Sequence, residues 1–319
     1  MRAVDLKSHG QADSLLLGER PLLQPGPGQV RVAIAYAGFN HVDLYMRDSG
    51  AGITHELPLI LGVDGAGTVD AVGDGVSQWQ QGDKVVIYPA QSCGHCEFCR
   101  RGEQMLCLTC KIVGEHIDGC FAEYVCVDAA MLFPVADHVS LQTAAVLPTA
   151  YLTAWRMVMT QARVAVGETV LVHGIGGGVA LASLQLGAEA MVNYRNDKVV
   201  EAVMDFTDGR GVDVVIDNVG DATWGSSLRS LRRGGKIVTC GATTGAHPSA
   251  DLQRVFVRQL QIIGSTLGNQ DEFRALLAAV AEGQIEPVID RVFDFDMAEE
   301  ALKFLGEARQ CGKLLLKIN

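Results

Sequence analysis

A glycine cluster near the middle of the chain lies between a short apolar segment and a helical pattern. The apolar segment is VLVH (170–173), and VALASLQL (179–186) has helical spacing. The four glycines between them are Gly174, Gly176, Gly177 and Gly178. A turn without side chains lets the backbone approach an anion, and the first N–H groups of the following helix face it. This order predicts a dinucleotide-binding unit, although the third motif glycine falls on Val179 or Ala180 and a ligand-free turn is the alternative.

Strand and helix patterns alternate after this turn. The predicted elements are strands at 190–194, 213–220, 234–241 and 260–268, with helices at 198–207 and 224–232. Such alternation predicts a parallel, doubly wound sheet and an α/β fold class. Residues 1 to about 125 are instead mostly β, with a clear period-two strand at 29–38. A helical pattern at 140–159 is interrupted by Pro148, and a last strand at 313–318 is expected to return to the N-terminal domain.

Composition limits the possible partners. The chain has 319 residues, of which 48% are hydrophobic, enough for a large core and two domains. A formal charge of −11 disfavours nucleic acid and anionic membranes. No apolar segment reaches the ~18 residues of a membrane span. The opening MRAVDLKSHG is polar, so no signal peptide is expected and we predict a cytoplasmic protein.

Nine cysteines are present, and four of them have a metal-binding spacing. The four are Cys93, Cys96, Cys99 and Cys107. Four thiolates within fifteen residues can close a tetrahedron around Zn²⁺, and a full protein shell leaves no position for substrate. The spacing therefore predicts one structural zinc per chain. We interpret the remaining cysteines as small core residues or free thiols.

The chain resembles the medium-chain dehydrogenase/reductase superfamily over essentially its whole length. The matching segments are GVDGAGTV (62–69), GDKV (82–85), the cysteine lobe (93–110), AAVLPTAYLTAW (144–155) and VLVHGIGGGV (170–179). The resemblance implies a GroES-like catalytic domain at 1–126 and 287–319, which includes the cysteine lobe. It also implies a Rossmann domain at 127–286 and NAD(P)(H) in the cleft between the domains.

Zinc alcohol dehydrogenases of this superfamily bind a second, catalytic zinc, and the three ligand positions fall here on Asn40, Val63 and Thr149. Valine cannot ligate, and an amide and a hydroxyl are poor ligands for zinc, so catalytic zinc is not expected. The segment AGFNHVDLYMR (37–47) resembles the zinc-independent quinone oxidoreductase branch. The resemblance therefore places Asn40 and Tyr45 as hydrogen-bond donors to a substrate carbonyl, with Thr149 beside the nicotinamide. Asp43 is expected to orient the backbone or Arg47.

The resemblance also suggests cofactor contacts outside the glycine turn. His41 is expected near the pyrophosphate, and further contacts are expected at Thr153, Asn218 and Gly241. Relative to the family pattern, about two dozen residues are missing after Leu186, most of one strand–helix unit. Either the chain is shortened there or the protein has residues that this sequence lacks. In a shortened chain Tyr194 and Arg195 would approach the adenosine ribose, which favours NADP slightly over NAD and leaves the choice open.

The sequence thus predicts an NAD(P)H-dependent oxidoreductase that transfers hydride to a quinone or an α,β-unsaturated carbonyl. One alternative is an alcohol or aldehyde dehydrogenase of the zinc-binding family. The other is a nucleotide-binding protein without turnover. The apolar strand at 260–268 resembles the dimer-forming edge of the family, so we also expect a homo-oligomer.

Overall fold

A computed structural model describes residues 1–10, 14–174, 176–184, 192 and 198–319. The chain divides into two compact units, one of Met1–Leu152 with Asn269–Asn319 and one of Thr153–Gly268. These limits differ from those of the predicted domains, whose boundaries after residues 126 and 286 stay a prediction. Within the described ranges, no helix is long and apolar enough to cross a membrane.

The strands are β1 (Arg2–Leu6), β2 (Leu15–Glu19), β3 (Gln29–Gly38), β4 (Leu59–Ile60), β5 (Asp64–Val72), β6 (Lys84–Ile87), β7 (Ala90–Gln91), β8 (Lys111–Ile112), β9 (Tyr124–Asp128), β10 (Leu132–Pro134), β11 (Val170–Val172), β12 (Val212–Asp217), β13 (Leu231–Thr239), β14 (Gln261–Gly264), β15 (Ile289–Asp294) and β16 (Lys313–Lys317). The α-helices are α1 (His41–Asp48), α2 (Glu97–Arg100), α3 (Leu141–Ala145), α4 (Leu152–Trp155), α5 (Gly178–Leu184), α6 (Val199–Phe206), α7 (Asp221–Ser230), α8 (Leu252–Arg258), α9 (Gln270–Ala281) and α10 (Ala298–Gly306). Short 3₁₀ segments lie at Gln104–Leu106, Ala129–Met131 and Phe295–Met297.

The first unit is built around β3, which has the limits that its period-two pattern predicts. β3 pairs with β5 along its length, with β9 near its start and with β16 at its end. The last strand therefore returns to the N-terminal part of the chain, as predicted. A large apolar cluster contains Val30, Val32 and Ile34 of β3 together with Ala301 and Leu302 of α10. The buried residues at the start of β3 alternate with partly exposed ones.

Pro148 interrupts the predicted helix at 140–159, as expected. α3 ends at Ala145, and a π-helical segment, Leu147–Tyr151, follows before α4 and a second π-helical segment, Arg156–Ala162. Proline cannot donate an N–H and its ring crowds the preceding turn, so the regular hydrogen-bond ladder changes at this position.

The second unit contains a parallel sheet in the order β11-β12-β13-β14, which confirms the Rossmann-type α/β class. Every residue of β12 is buried, because apolar clusters cover both faces of the sheet. The predicted helix at 224–232 ends at Ser230, since Leu231 begins β13 and pairs with Val212. The predicted strand at 190–194 lies outside the described residues apart from Val192, and so do Tyr194 and Arg195.

Candidate functional site

A buried lysine is the centre of a polar cluster in the first unit. The Lys313 side chain is 4% exposed, and its Nζ lies 3.0 Å from Oδ2 of Asp64. The same Nζ donates to Oδ1 of Asn40 at 2.6 Å and to the carbonyl of Phe39 at 2.7 Å. The other oxygen of Asp64, Oδ1, accepts from Oγ1 of Thr149 at 2.6 Å. An ammonium has three N–H donors, so three oxygens satisfy it fully.

Strand pairing at the end of β3 brings these groups together. Gly38 pairs with Asp64 of β5 on one side and with Leu315 of β16 on the other. The chain leaves β3 at this point. It is flanked there by the start of β5 and by the start of β16, where Lys313 lies. Asn40 follows directly as the N-cap of α1. Two predicted catalytic residues, Asn40 and Thr149, thus join one network with Asp64 and Lys313.

The lysine fixes the orientation of the Asn40 amide. An ammonium only donates hydrogen bonds, so the amide atom that faces Lys313 must be the oxygen, and the NH₂ group points the other way. Nδ2 lies 3.5 Å from the carbonyl of Gly38, which is the limit of a hydrogen bond. Asn40 therefore keeps N–H donors for a ligand.

Asp43 is buried beside this network and orients backbone, as predicted. Its carboxylate accepts from the N–H of Asn40 at 2.7 Å and from that of Gly62 at 3.3 Å. Burial, with a further contribution from the charge of Asp64, raises the pKa of Asp43 to about 7. Arg47 does not pair with it, because its guanidinium lies 2.7 Å from Asp48.

The remaining predicted residues of the first unit lie on α1. The phenol of Tyr45 donates to the carbonyl of Ala51, and the side chain is 43% exposed. His41 is the first residue of the helix and is also exposed. Their roles toward substrate and pyrophosphate stay predictions.

The positions of a catalytic zinc do not fit a metal ion. Val63 is apolar and 1% exposed, so it offers no ligand atom. The oxygens of Asn40 and Asp64 already accept from Lys313, whose positive charge would repel a second cation at the same point. The donor set therefore suits an ammonium and not a zinc ion.

The cysteine lobe, in contrast, has the geometry of a tetrahedral zinc site. The sulfur atoms of Cys93, Cys96, Cys99 and Cys107 all lie within 4.8 Å of one another. The Sγ of Cys99 is 3.9 Å from that of Cys93 and 3.5 Å from that of Cys96. A Zn–S distance of about 2.3 Å gives tetrahedral S···S separations of about 3.8 Å. Burial opposes ionisation of the Cys107 thiol, but N–H groups of Cys93 and Thr109 donate to its sulfur and lower its pKa to about 6.

In the second unit, predicted cofactor residues lie at the carboxyl edge of the parallel sheet. Gly174 follows β11, Asn218 follows β12 and Gly241 lies just beyond β13. Gly174 has φ +74°, and a Cβ there would lie 3.2 Å from Val219 and 3.5 Å from Oδ1 of Asn218. Gly176 and Gly177 continue the turn into α5. Gly178 is the first residue of this helix and Val179 the second. Thr153 is buried on α4.

Two buried polar atoms at this edge lack a partner among the described residues. They are Oδ1 of Asn218 and Nε2 of His173. Buried polar atoms are rarely left unpaired, so a ligand that carries hydroxyl or amide groups fits this edge. The carboxyl edge of a parallel sheet is also where open α/β folds bind ligands. The residues present therefore fit a dinucleotide.

Sequence reasoning missed His173 and Lys313. The position of His173, after an apolar strand and directly before a glycine turn, was a usable signal that it belongs to the site. Lys313 begins a strand of apolar residues, and nothing local distinguishes it from an exposed lysine.

Two family models match the chain. An alcohol dehydrogenase GroES-like domain matches residues 26–137, and a zinc-binding dehydrogenase model matches residues 186–316. Among curated proteins, the chain is 31% identical to an NAD-dependent alcohol dehydrogenase of Sulfolobus acidocaldarius, with 100% of each sequence covered. It is 28% identical to an acryloyl-coenzyme A reductase of Metallosphaera sedula, with 99% of each covered.

Solved structures show the same similarity. The crystal structure of an NAD-dependent alcohol dehydrogenase matches with a TM-score of 0.96 and 36% identity over 100% of both chains.

The alignment to the Sulfolobus acidocaldarius protein runs over 348 positions, more than the 319 residues of this chain. This chain is therefore shorter than that relative.

Proposed function

We propose that this chain, which belongs to the medium-chain dehydrogenase/reductase superfamily of oxidoreductases, reduces a quinone or an α,β-unsaturated carbonyl. The observation that carries this proposal is the buried ammonium of Lys313 among Asn40, Asp64 and the Phe39 carbonyl. An alcohol dehydrogenase of the zinc type needs a Lewis acid at that point to stabilise an alkoxide. Hydride addition to a quinone or enone gives a delocalised oxyanion, which hydrogen-bond donors alone can stabilise.

The residues of this site act by positioning and hydrogen bonding. Asn40 directs its N–H donors to the substrate oxygen because Lys313 holds the amide oxygen. Asp64 receives the hydrogen bond of Thr149 and neutralises Lys313, which keeps the cluster rigid without net charge. Tyr45 is proposed as a second donor to the substrate carbonyl, once its hydroxyl leaves the carbonyl of Ala51, since a phenol has one O–H. NAD(P)H supplies the hydride when it is bound.

We place the dinucleotide at the carboxyl edge of the parallel sheet. Gly174, Asn218 and Gly241 would hold it there, with His173 as a further polar neighbour. The Sulfolobus acidocaldarius relative and the solved structure with 36% identity are NAD-dependent alcohol dehydrogenases, whereas the expected positions of Tyr194 and Arg195 favour NADP. Binding titrations with NADH and NADPH on protein of verified intact mass decide between them.

The cysteine lobe is proposed to hold one structural zinc. Four sulfur ligands leave no open position, so this ion stabilises the lobe and does not contact substrate. Metal analysis of freshly purified protein should find one zinc per chain.

A homo-oligomer is also proposed. β14 is an edge strand of the four-stranded sheet within the described residues, and Ile262 on it is exposed. The neighbouring α8 exposes Leu252, Phe256 and Val257. An open edge beside an apolar surface is a usual place for association between copies. Sedimentation analysis should therefore find a species larger than the monomer.

The proposed activity is tested by following the oxidation of NADH and NADPH with a naphthoquinone and with cyclohexenone. We expect turnover with at least one of them and little oxidation of simple alcohols. Alcohol oxidation that a chelator abolishes would favour the alcohol dehydrogenase alternative, which the names of several relatives suggest. Cofactor binding without turnover on any acceptor would indicate a nucleotide-binding protein.

A further inference from the structure

Two histidines of the first unit meet at the surface, away from the polar cluster. The Nε2 atom of His9 lies 2.9 Å from the Nε2 atom of His55. The rings are perpendicular and their centroids are 4.9 Å apart, so they are not stacked. His9 follows β1, and His55 lies between α1 and β4.

The other nitrogen of each ring faces a backbone carbonyl. Nδ1 of His9 lies 2.8 Å from the carbonyl of Met46, and Nδ1 of His55 lies 2.7 Å from that of Ile53. A carbonyl oxygen only accepts, so both Nδ1 atoms carry hydrogen. Each neutral ring then presents a bare Nε2, and two bare nitrogens at 2.9 Å repel each other. Only a cation between them, a proton or a metal ion, makes this contact favourable.

We propose that His9 and His55 form a surface site for a divalent transition metal of the zinc type. Imidazole nitrogen is a preferred ligand of zinc, nickel and copper. Histidines that ligate metals usually donate their second ring N–H to a backbone carbonyl or carboxylate, which fixes the tautomer and aims the free nitrogen. Both rings have this arrangement here. Water completes the coordination, because the two rings supply two ligands.

The surroundings favour a cation at this point. Gly10, next to His9, lines a groove in which four carboxylates outnumber two cationic groups. These side chains are Asp48, Asp296, Glu299, Glu300, Arg47 and Lys303. Arg47 is already paired with Asp48 at 2.7 Å. The remaining negative potential raises the local concentration of cations beside His9.

The geometry requires little adjustment. Zn–N bonds of about 2.05 Å at a tetrahedral angle separate two nitrogens by about 3.3 Å, so the rings need to open by about 0.4 Å. Glycine at residue 50 avoids a collision with both rings. A Cβ there would lie 2.7 Å from Cε1 of His55 and 2.9 Å from Cε1 of His9. A bound ion would tie the turn after β1 to the loop that follows α1.

The test is zinc titration by calorimetry on full-length protein that already holds zinc in its cysteine lobe. Wild type is compared with His9→Gln, His55→Gln and a matched control, His247→Gln, which removes an exposed imidazole elsewhere. The thiols are common to all four proteins, so they cancel in the comparison. We expect a second zinc equivalent in wild type and in His247→Gln, bound at least about ten-fold more weakly in the other two variants. Equal binding by all four proteins, or no second equivalent in wild type, would overturn the proposal and leave a shared proton between the rings.

A second measurement does not depend on the folding of any variant. X-ray absorption spectra of wild type are recorded with one and with two zinc equivalents. The difference between them, which reports the second ion, should show nitrogen and oxygen ligands with imidazole scattering. A difference spectrum dominated by sulfur would place the second ion on free cysteines and contradict the site.

Discussion

The ammonium of Lys313 lies 3.0 Å from the carboxylate of Asp64, although 249 residues separate them in the chain. The two side chains are 4% and 0% exposed. A buried pair of this kind is maintained only when hydrogen bonds satisfy the remaining donors and acceptors, and here Asn40, Phe39 and Thr149 supply them. The pair contacts Asn40 and Thr149, two of the three positions at which the resemblance would place ligands of a catalytic zinc.

Replacement of Lys313 by methionine should destabilise the protein and reduce turnover. The variant leaves the carboxylate of Asp64 buried and unpaired, which costs about 3–5 kcal/mol. Urea unfolding followed by circular dichroism measures the change. The matched control is Lys317→Met on the same strand, where the side chain is exposed and the free energy of unfolding should change little. Equal stability of the two variants would contradict the role of the pair.

Replacement of Asn40 by aspartate distinguishes the role of the amide oxygen from that of the amide N–H donors. The variant keeps an oxygen for Lys313 and removes the N–H donors that we assign to the substrate oxygen. Loss of one such donor lowers kcat by about 10²–10³. The control is Asn269→Asp, because Asn269 also caps a helix and accepts from Glu272 at 2.8 Å. Similar effects of both substitutions on kcat would show that helix capping, and not donation to substrate, matters at residue 40.

Asp43 should make the protein less stable as the pH rises. Its pKa in the folded state is about 7, whereas an exposed aspartate has a pKa of about 3.9. Between these values the unfolded chain loses a proton that the folded chain keeps, so the free energy of unfolding falls with increasing pH. Asp43→Asn removes this dependence and should gain on the order of 2–4 kcal/mol relative to wild type from pH 4 to pH 7. Denaturant titrations at several pH values check it, with the exposed Asp271→Asn as a control that should keep the pH dependence of wild type.

The cysteine lobe should lose its metal when one ligand is changed. Cys99→Ser removes one of four sulfur atoms that lie within 4.8 Å of one another. We expect the zinc content to fall well below one per chain and Tm to fall by on the order of 5 °C. Cys311→Ser, at an exposed cysteine outside the cluster, should leave both unchanged. Retention of zinc by Cys99→Ser would contradict the assignment of the ligands.

Sequence patterns predicted those elements that depend on residues close together in the chain. The strand at 29–38, the interruption at Pro148 and the cysteine quartet all follow from residue types a few positions apart. The cluster around Lys313 could not be predicted, because it depends on the pairing of β16 and β5 with the end of β3. Lysine is also among the least often buried residues, so its burial needs a partner that only the fold reveals.

We propose that reduction proceeds with the ammonium of Lys313 in the site and with no catalytic metal. Steady-state reduction of cyclohexenone or a naphthoquinone tests this proposal, with protein as purified and with the same protein after dialysis against a chelator that leaves only the lobe zinc in place. We expect the same kcat in both samples. A loss of kcat that follows the removal of a second metal, and that returns when the metal is restored, would contradict it.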